Sequence, residues 1–227
     1  MTKHIPNFLT LCNLACGCYG VVAVFKGDLQ TASIMIWAGA LFDFFDGLAA
    51  RILKRYSSIG KDLDSLADLI TFCFLPASIL FALIDVYSIN VWIPYIGYLL
   101  VLFGAMRLAK FNNDTRQSDN FYGLPVPASG IFVSALPFIS TAENVVFYNF
   151  FTSSYTLIGI SILLPIMMVS DIKLMSLKFM EFSFKANWHR FLLIGLSLLL
   201  LVILKIVALP IIIICYVVLS LALHIRE

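Results

Sequence analysis

The chain has 227 residues, of which 61% are apolar and 12% are charged, whereas an ordinary soluble domain has roughly 45–50% apolar and 25% charged residues. Its mean hydropathy of +0.98 shows that the apolar surplus runs through most of the sequence, which excludes a soluble globular enzyme and indicates a polytopic membrane protein. The formal net charge is only +2, and we expect no nucleic-acid partner.

Eight apolar runs approach the roughly 20 residues that a helix needs to cross the hydrocarbon core. They lie near residues 6–25, 30–53, 62–84, 91–110, 125–143, 154–170, 190–206 and 207–223. Only Lys205 and Pro210 separate the last two runs, so seven spans with one long tilted helix is the alternative. The sequence contains no internal repeat of fixed period. We therefore predict an all-α polytopic membrane protein of about eight transmembrane helices, folded as a single domain over residues 1–227.

The positions of the cations predict how these helices are oriented. With an even number of spans, both termini and every second connection lie on the same side of the membrane. That side holds 13 of the 15 lysines and arginines, namely Lys3, Arg51, Lys54, Arg55, Lys61, Arg107, Lys110, Arg116, Lys173, Lys178, Lys185, Arg190 and Arg226. Because lysine and arginine collect in cytoplasmic loops, we expect both termini on the cytoplasmic face of a cytoplasmic (inner) membrane.

Four aspartates fall in or at the end of the second and third apolar runs, where a centrally placed acid costs at least about 2.5–3.5 kcal/mol on membrane-insertion scales. Asp43 and Asp46 are three residues apart, and Asp64 and Asp68 are four apart, so each pair shares one face of its helix. Two neighbouring antiparallel helices can thus direct all four carboxylates at one point.

The charge of this cluster predicts a metal site. Arg51 is the one cation close to it in sequence, which leaves about three negative charges to be balanced by protons or by bound cations. Oxygen ligands favour Mg²⁺ or Mn²⁺, and four carboxylates can bridge two ions. A pair of such ions stabilises the attacking and leaving oxygens of phosphoryl chemistry.

Small residues flank the aspartates and have two interpretations. Gly47, Ala49, Ala50 and Gly60 leave room for a bulky group to lie against the backbone. Small residues also allow helices to pack closely in membranes. The sequence alone leaves both interpretations open.

The whole pattern is Asp43-x2-Asp46-Gly47-x2-Ala50-Arg51-x8-Gly60-x3-Asp64-x3-Asp68. This string resembles, without a gap, the signature of the CDP-alcohol phosphotransferase family, whose members are integral membrane proteins. The resemblance implies a CDP-linked lipid as donor, an alcohol that displaces CMP, and two divalent metal ions at each active site. It makes Asp43, Asp46, Asp64 and Asp68 the metal ligands and Asp68 also the general base.

Further segments resemble the phosphatidylserine synthase branch of that family. They are Asn7-Phe8-Leu9-Thr10-x2-Asn13-Leu14-x2-Gly17, Arg107-Leu108-Ala109-x-Phe111-Asn112, Phe121-x-Gly123-Leu124-Pro125-x-Pro127-Ala128 and Ser170-x-Ile172-x2-Met175-Ser176-x-Lys178. The resemblance implies CDP-diacylglycerol and L-serine as substrates, CMP as a product, membrane lipids as surroundings and a homodimer as assembly. The residues it implies for the CDP-lipid are Asn7, Thr10, Gly47, Ala50, Arg51 and Gly60.

An acceptor such as serine brings a carboxylate to the mouth of the site and needs a cation there. Arg107, Arg116 and Lys178 are candidates, and Asn112 can both donate and accept a hydrogen bond. Each of these cations has an alternative role in fixing topology or contacting lipid headgroups.

Three other functions compete with a serine acceptor. A glycerol phosphate or an inositol phosphate acceptor would call for a denser cationic pocket. A cation or proton transporter would spread polar groups across the membrane depth and often shows repeated halves. A purely structural membrane protein would leave the cost of four buried acids uncompensated.

Overall fold

The computed structural model describes residues 4–53, 58–88, 90–113, 121–140, 145–175 and 184–224. Within them the chain is helical apart from one short strand pair, β1 (Phe121–Tyr122) and β2 (Lys173–Leu174). The α-helices in chain order are α1 (Ile5–Phe25), α2 (Leu29–Ile52), α3 (Ser58–Asp68), α4 (Leu75–Tyr87), α5 (Leu99–Asn113), α6 (Val126–Ser134), α7 (Leu136–Ile139), α8 (Val145–Thr152), α9 (Ser154–Val169), α10 (Phe184–Leu204) and α11 (Ala208–His224).

Five helical stretches in the described residues are long and apolar enough to cross a membrane, namely Ile5–Phe25, Leu29–Ile52, Ile59–Val86, Ile93–Asn113 and Asn187–Leu223. Two shorter apolar helices cover Val126–Ile139 and Ser154–Val169. The prediction of an all-α membrane protein is therefore confirmed. Four of the expected spans have full membrane-crossing length on their own, and the fifth stretch covers the last two expected spans together.

The longest of these stretches is divided near its middle. A 3-10 turn over Lys205–Val207 separates α10 from α11, and Lys205 has a φ of +52°. Such a left-handed residue ends a helix because it turns the backbone away from the helical path. The two helices also contact each other.

Helix α1 lies at the centre of the N-terminal half. A tight turn at Gly27 (φ +77°) leads into α2, whose first turn is capped by Asp28 accepting a hydrogen bond from Thr31 N at 2.9 Å. Helix α1 packs along α2 and also against α3. The sequence predicted a site formed by two neighbouring helices. The structure adds a third helix to it, because α1 contributes side chains to the space between α2 and α3.

Directly after Asp68, the helix changes from α to π over Leu69–Phe74 before continuing as α4. Pro76 sits in the first turn of α4 and has no backbone N–H, so a regular α-helix would lose a hydrogen bond there. Short π segments inside helices are frequent at functional sites because they re-aim the side chains around them. Within this segment Thr71, Phe72 and Cys73 are fully buried.

The strand pair joins two connections that are distant in sequence. Phe121 is paired with Leu174 and Tyr122 with Lys173 in an antiparallel ladder. Next to it Gly123 has a φ of +73°, and a side chain at that position would collide with the carbonyl oxygen of Met168. The connection between α5 and α6 therefore lies beside the one that follows α9.

Candidate active site

The structure brings the predicted carboxylates together. Asp43 on α2 and Asp64 and Asp68 on α3 each present a carboxylate oxygen, and these three oxygens all lie within 4.8 Å of one another. Asp68 is buried, with 9% of its surface exposed, and the other two are half-buried. The predicted convergence of acids from two helices is therefore present for three of the four.

Asp46 is the fourth and is held by α1. It is 6% exposed, and its Oδ2 accepts a hydrogen bond from Thr10 Oγ1 at 2.7 Å. Its charge interacts with those of Asp64 and Asp68. Thr10, predicted to contact the CDP-lipid, thus has a structural contact with a predicted metal ligand.

Asn13 is a site residue for which sequence analysis proposed no role. It is fully buried, and its Nδ2 lies 3.4 Å from Asp68 Oδ1. Its own backbone carbonyl accepts a hydrogen bond from Thr71 Oγ1 at 3.0 Å, which ties α1 to the π segment. Two signals were available: Asn13 stands in the segment Asn7–Gly17 that resembles the phosphatidylserine synthase branch, and it lies three residues after Thr10, on the same helix face.

The electrostatics of the cluster call for cations. Among the described residues, no lysine or arginine forms a salt bridge with any of these four aspartates. Asp64 Oδ1 is buried without a hydrogen-bond partner in the described part of the chain. Several buried carboxylates without a counter-charge are costly, since each loses its hydration and repels the others. Oxygen donors at this spacing fit a hard divalent ion such as Mg²⁺ or Mn²⁺.

Two glycines on α2 differ in their surroundings: Gly39 serves close helix packing, and Gly47 leaves room for a ligand. A Cβ added at Gly39 would collide with Thr71 Cγ2 and lie 2.9 Å from Asn13 Oδ1, so this glycine is needed for packing. A Cβ at Gly47 would meet only Arg51 Nη2, at 3.7 Å. Space beside Gly47 is therefore open within the described chain, as a substrate cradle requires.

We expect Gly47→Ala to keep the fold and weaken binding of the CDP-linked lipid that the resemblance implies. Alanine is favoured over glycine inside helices, whereas a methyl group intruding on a fitted ligand costs roughly 1–3 kcal/mol. The KM for the lipid should rise while the melting temperature stays constant or increases. Gly39→Ala is the matched control and should lower the melting temperature. An unchanged lipid KM in Gly47→Ala would contradict the cradle.

The other residues predicted for the nucleotide end lie on α1, α2 and α3. Arg51 is exposed near the end of α2, and its Nε donates to Gly47 O at 3.1 Å. Ala50 and Gly60 are half-buried, as is Asn7 in the first turn of α1. The guanidinium of Arg51 therefore lies beside the backbone of Gly47.

Arg107 on α5 is a predicted acceptor residue that is buried near the carboxylates. It is 8% exposed, and its charge interacts with that of Asp68. The Phe111 ring lies 5.7 Å from the guanidinium carbon, and Nε is buried without a hydrogen-bond partner in the described residues. A buried, incompletely bonded guanidinium beside an acidic cluster is suited to an anionic ligand.

Asn112, also predicted for the acceptor, links α5 to α3. Its Nδ2 donates to Ser65 Oγ at 2.8 Å, and its backbone carbonyl accepts from Lys61 Nζ at 2.6 Å. Ser65 follows Asp64, so this contact fixes α5 against the acidic helix. The other two acceptor candidates, Arg116 and Lys178, lie outside the described residues.

Comparison with known proteins agrees with this geometry. Residues 3–167 match the model of the CDP-alcohol phosphatidyltransferase family. The chain belongs to this family. The matched range contains all four aspartates together with Thr10, Arg51 and Arg107, so the family match and the acidic cluster concern the same part of the molecule.

Three relatives come from bacteria, archaea and yeast. The CDP-diacylglycerol–serine O-phosphatidyltransferase of Bacillus subtilis is 35% identical over 60% of this chain and 76% of its own length. The archaetidylserine synthase of Methanothermobacter thermautotrophicus is 33% identical over 70% of this chain and 66% of its own. The CDP-diacylglycerol–serine O-phosphatidyltransferase of Saccharomyces cerevisiae is 36% identical over 56% of this chain and half of its own. Serine appears in all three names.

Proposed function

We propose that this protein is a phosphatidylserine synthase, which transfers the phosphatidyl group of CDP-diacylglycerol to the hydroxyl group of L-serine. The main support for this proposal is that carboxylate oxygens of Asp43, Asp64 and Asp68 lie within 4.8 Å of one another in a member of the CDP-alcohol phosphatidyltransferase family. The choice of serine is supported by the names of relatives from a bacterium, an archaeon and a yeast.

The reaction is a displacement at phosphorus. The serine oxygen forms a bond to the phosphorus that carries diacylglycerol, and the bond from that phosphorus to the oxygen of CMP breaks. The serine proton passes to Asp68, whose carboxylate is buried and held by Asn13. A carboxylate within hydrogen-bond reach of a reacting hydroxyl group acts as a general base.

The four aspartates are proposed to hold two divalent cations, Mg²⁺ or Mn²⁺. Such ions, when bound, neutralise the diphosphate and stabilise the departing CMP. Thr10 orients Asp46 through the 2.7 Å hydrogen bond, and α1 thereby sets the position of one ligand. Arg51 pairs with the nucleotide phosphate, and Asn7, Gly47, Ala50 and Gly60 accommodate the CDP moiety.

The acceptor is proposed to lie on the α5 side of the cluster. There Arg107 receives the serine carboxylate through its planar fork of N–H donors, with Asn112 and, beyond the described residues, Arg116 and Lys178 as further contacts. Arg107 is close enough to Asp68 for their charges to interact, so a carboxylate held by the arginine keeps the serine hydroxyl near the base.

The membrane setting is also part of the proposal. Eight spans place both termini and the catalytic end of α2 and α3 at the cytoplasmic face of the inner membrane, where serine is available. Support comes from the five helices of full length, the two shorter apolar helices and the break at Lys205. The lipid tails enter from the bilayer, and the enzyme is proposed to work as a homodimer.

Metal removal tests the proposed chemistry. We expect a chelator to abolish CMP release from CDP-diacylglycerol and serine, and Mg²⁺ or Mn²⁺ to restore it, because four clustered carboxylates carry more negative charge than the single guanidinium of Arg107 can balance. Asp64→Asn should shift the metal dependence to higher concentration, whereas the exposed Asp85→Asn on α4 is the matched control. Full activity in the presence of excess chelator, with metal-free protein confirmed by elemental analysis, would contradict the proposal.

A further inference from the structure

The segment Asp171–Met175, which follows α9, is fixed from several sides. Asp171 Oδ1 forms a salt bridge with Lys110 Nζ of α5 at 2.9 Å. The carbonyl of Ile172 accepts from Gly123 N at 2.9 Å, and the next two residues form β2, paired with β1. Lys110 lies one helical turn after Arg107, so this segment runs beside the proposed acceptor cation.

The end of the segment is fastened by α11. Met175 N donates to Ser220 Oγ at 3.2 Å, and Met175 O accepts from Tyr216 Oη at 2.9 Å. Ser220 Oγ also lies 2.7 Å from Tyr216 O, one turn earlier on the same helix. Ser220 is fully buried, and Tyr216 and Met175 are 9% and 6% exposed. Two side chains of α11 therefore satisfy both backbone groups of one residue.

Tyr216 links the contact between α11 and Met175 to the proposed acceptor site. Its phenol group lies close enough to Arg107 for the two to interact electrostatically. Helix α11 lies outside residues 3–167, the part of the chain matched by the family model. The acidic cluster is thus built by the matched helices, while the backbone beside Arg107 is held by a helix beyond them.

We propose that Tyr216 and Ser220 are positioning residues for the acceptor, acting through Met175 and Arg107 to set the affinity for serine. This inference rests on the proposed function, in which Arg107 binds the serine carboxylate. Holding Met175 by both its N–H and C=O fixes the path of the preceding strand. The segment that ends at Met175 meets α5 at Lys110, one turn from Arg107, so a fixed path for this segment keeps the surroundings of the Arg107 guanidinium in order, and pre-ordered groups lose less entropy when a ligand binds.

The test compares matched substitutions that differ in their contact with Met175. Tyr216→Phe removes the hydroxyl that donates to Met175 O, and Tyr155→Phe on α9 is its control, since Tyr155 is 89% exposed. Ser220→Ala has Ser161→Ala as control, because both serines are fully buried and donate to the carbonyl four residues earlier, Ser161 to Leu157 O at 2.8 Å.

The readout is the KM for serine measured against the KM for CDP-diacylglycerol and against kcat, in purified protein with phosphatidylserine as the product. We expect the KM for serine to rise about 3- to 10-fold in Tyr216→Phe and in Ser220→Ala, as befits the loss of one hydrogen bond. The change in the KM for CDP-diacylglycerol should be smaller, and the two controls should match the wild type.

Three outcomes overturn the inference. They are an unchanged serine KM in both α11 variants, equal rises in the KM for both substrates, and a lowered melting temperature without a selective effect on serine. In each of these cases the wild type still makes phosphatidylserine, so the proposed function survives. A folded wild type that makes no phosphatidylserine removes the proposed function itself.

Discussion

Asp68→Asn is expected to lower turnover by roughly 10²- to 10⁴-fold, the usual contribution of a general base. Asparagine has nearly the same size and keeps one carbonyl oxygen toward the cluster, but it cannot take the proton from the serine hydroxyl. The contact with Asn13 at 3.4 Å and the burial of the side chain keep position 68 in place. Initial rates of CMP release at saturating substrates measure the loss, and binding of CDP-diacylglycerol should be largely retained.

Asp62→Asn provides the control for this experiment. Asp62 lies on the same helix, α3, and is exposed. The same chemical change there should leave turnover within about twofold of the wild type. Near-normal turnover in Asp68→Asn would remove Asp68 from the role of base. A loss of lipid binding as large as the loss of rate would reduce its role to that of a ligand.

Arg107→Gln is expected to raise the KM for serine by about 10- to 100-fold. A hydrogen bond to a charged group contributes roughly 1.5–3 kcal/mol, and each 1.4 kcal/mol corresponds to tenfold in affinity. The guanidinium is buried beside Asp68 and carries an unbonded Nε in the described chain, so glutamine removes both the charge and the donor fork. Kinetics with serine varied at fixed CDP-diacylglycerol measure the effect.

Arg107→Lys separates charge from geometry at the same position. Lysine keeps the positive charge but lacks the planar fork that matches a carboxylate, so its serine KM should lie between those of the wild type and Arg107→Gln. Lys26→Gln, in the exposed turn between α1 and α2, is the control for the loss of a cation. Equal effects of Arg107→Gln on the KM values of both substrates would show that Arg107 does not select the acceptor.

The acidic cluster could be predicted from sequence because its geometry is mostly local. Spacings of three and four residues fix which side chains share a helix face, and membrane burial of an acid is costly enough to need a reason. The structure confirms the meeting of Asp43, Asp64 and Asp68. The acidic spacing also carried the resemblance to a family that the comparison then showed.

Long-range partners could not be predicted in the same way. Asn13 and Asp68 are 55 residues apart, and Met175 and Ser220 are 45 apart. Neither contact leaves a periodic trace in the sequence. The strands Phe121–Tyr122 and Lys173–Leu174 are two residues long, too short for the alternation by which strands are recognised.

The helix count shows a different limit of sequence patterns. Apolar composition shows that a run is compatible with the membrane, but it does not show where the helix within the run ends. Capping residues and prolines determine those ends. The run near 125–143 contains a helix that begins after Pro125 and is interrupted at Ala135, two residues before Pro137. The π segment after Asp68 could not be predicted from the sequence either, since hydropathy does not distinguish a π-helical from an α-helical backbone.

Product analysis with competing acceptors tests most directly whether this protein transfers a phosphatidyl group to serine. Purified protein in detergent, supplied with CDP-diacylglycerol and Mg²⁺ or Mn²⁺, receives labelled serine, glycerol phosphate and inositol phosphate in parallel reactions, each with a chelator control. We expect labelled phosphatidylserine and an equal amount of CMP, with serine and metal both required. Lipid formed from another acceptor would contradict the choice of serine, and no CMP release from folded protein under any condition would contradict the assignment as a phosphatidyltransferase.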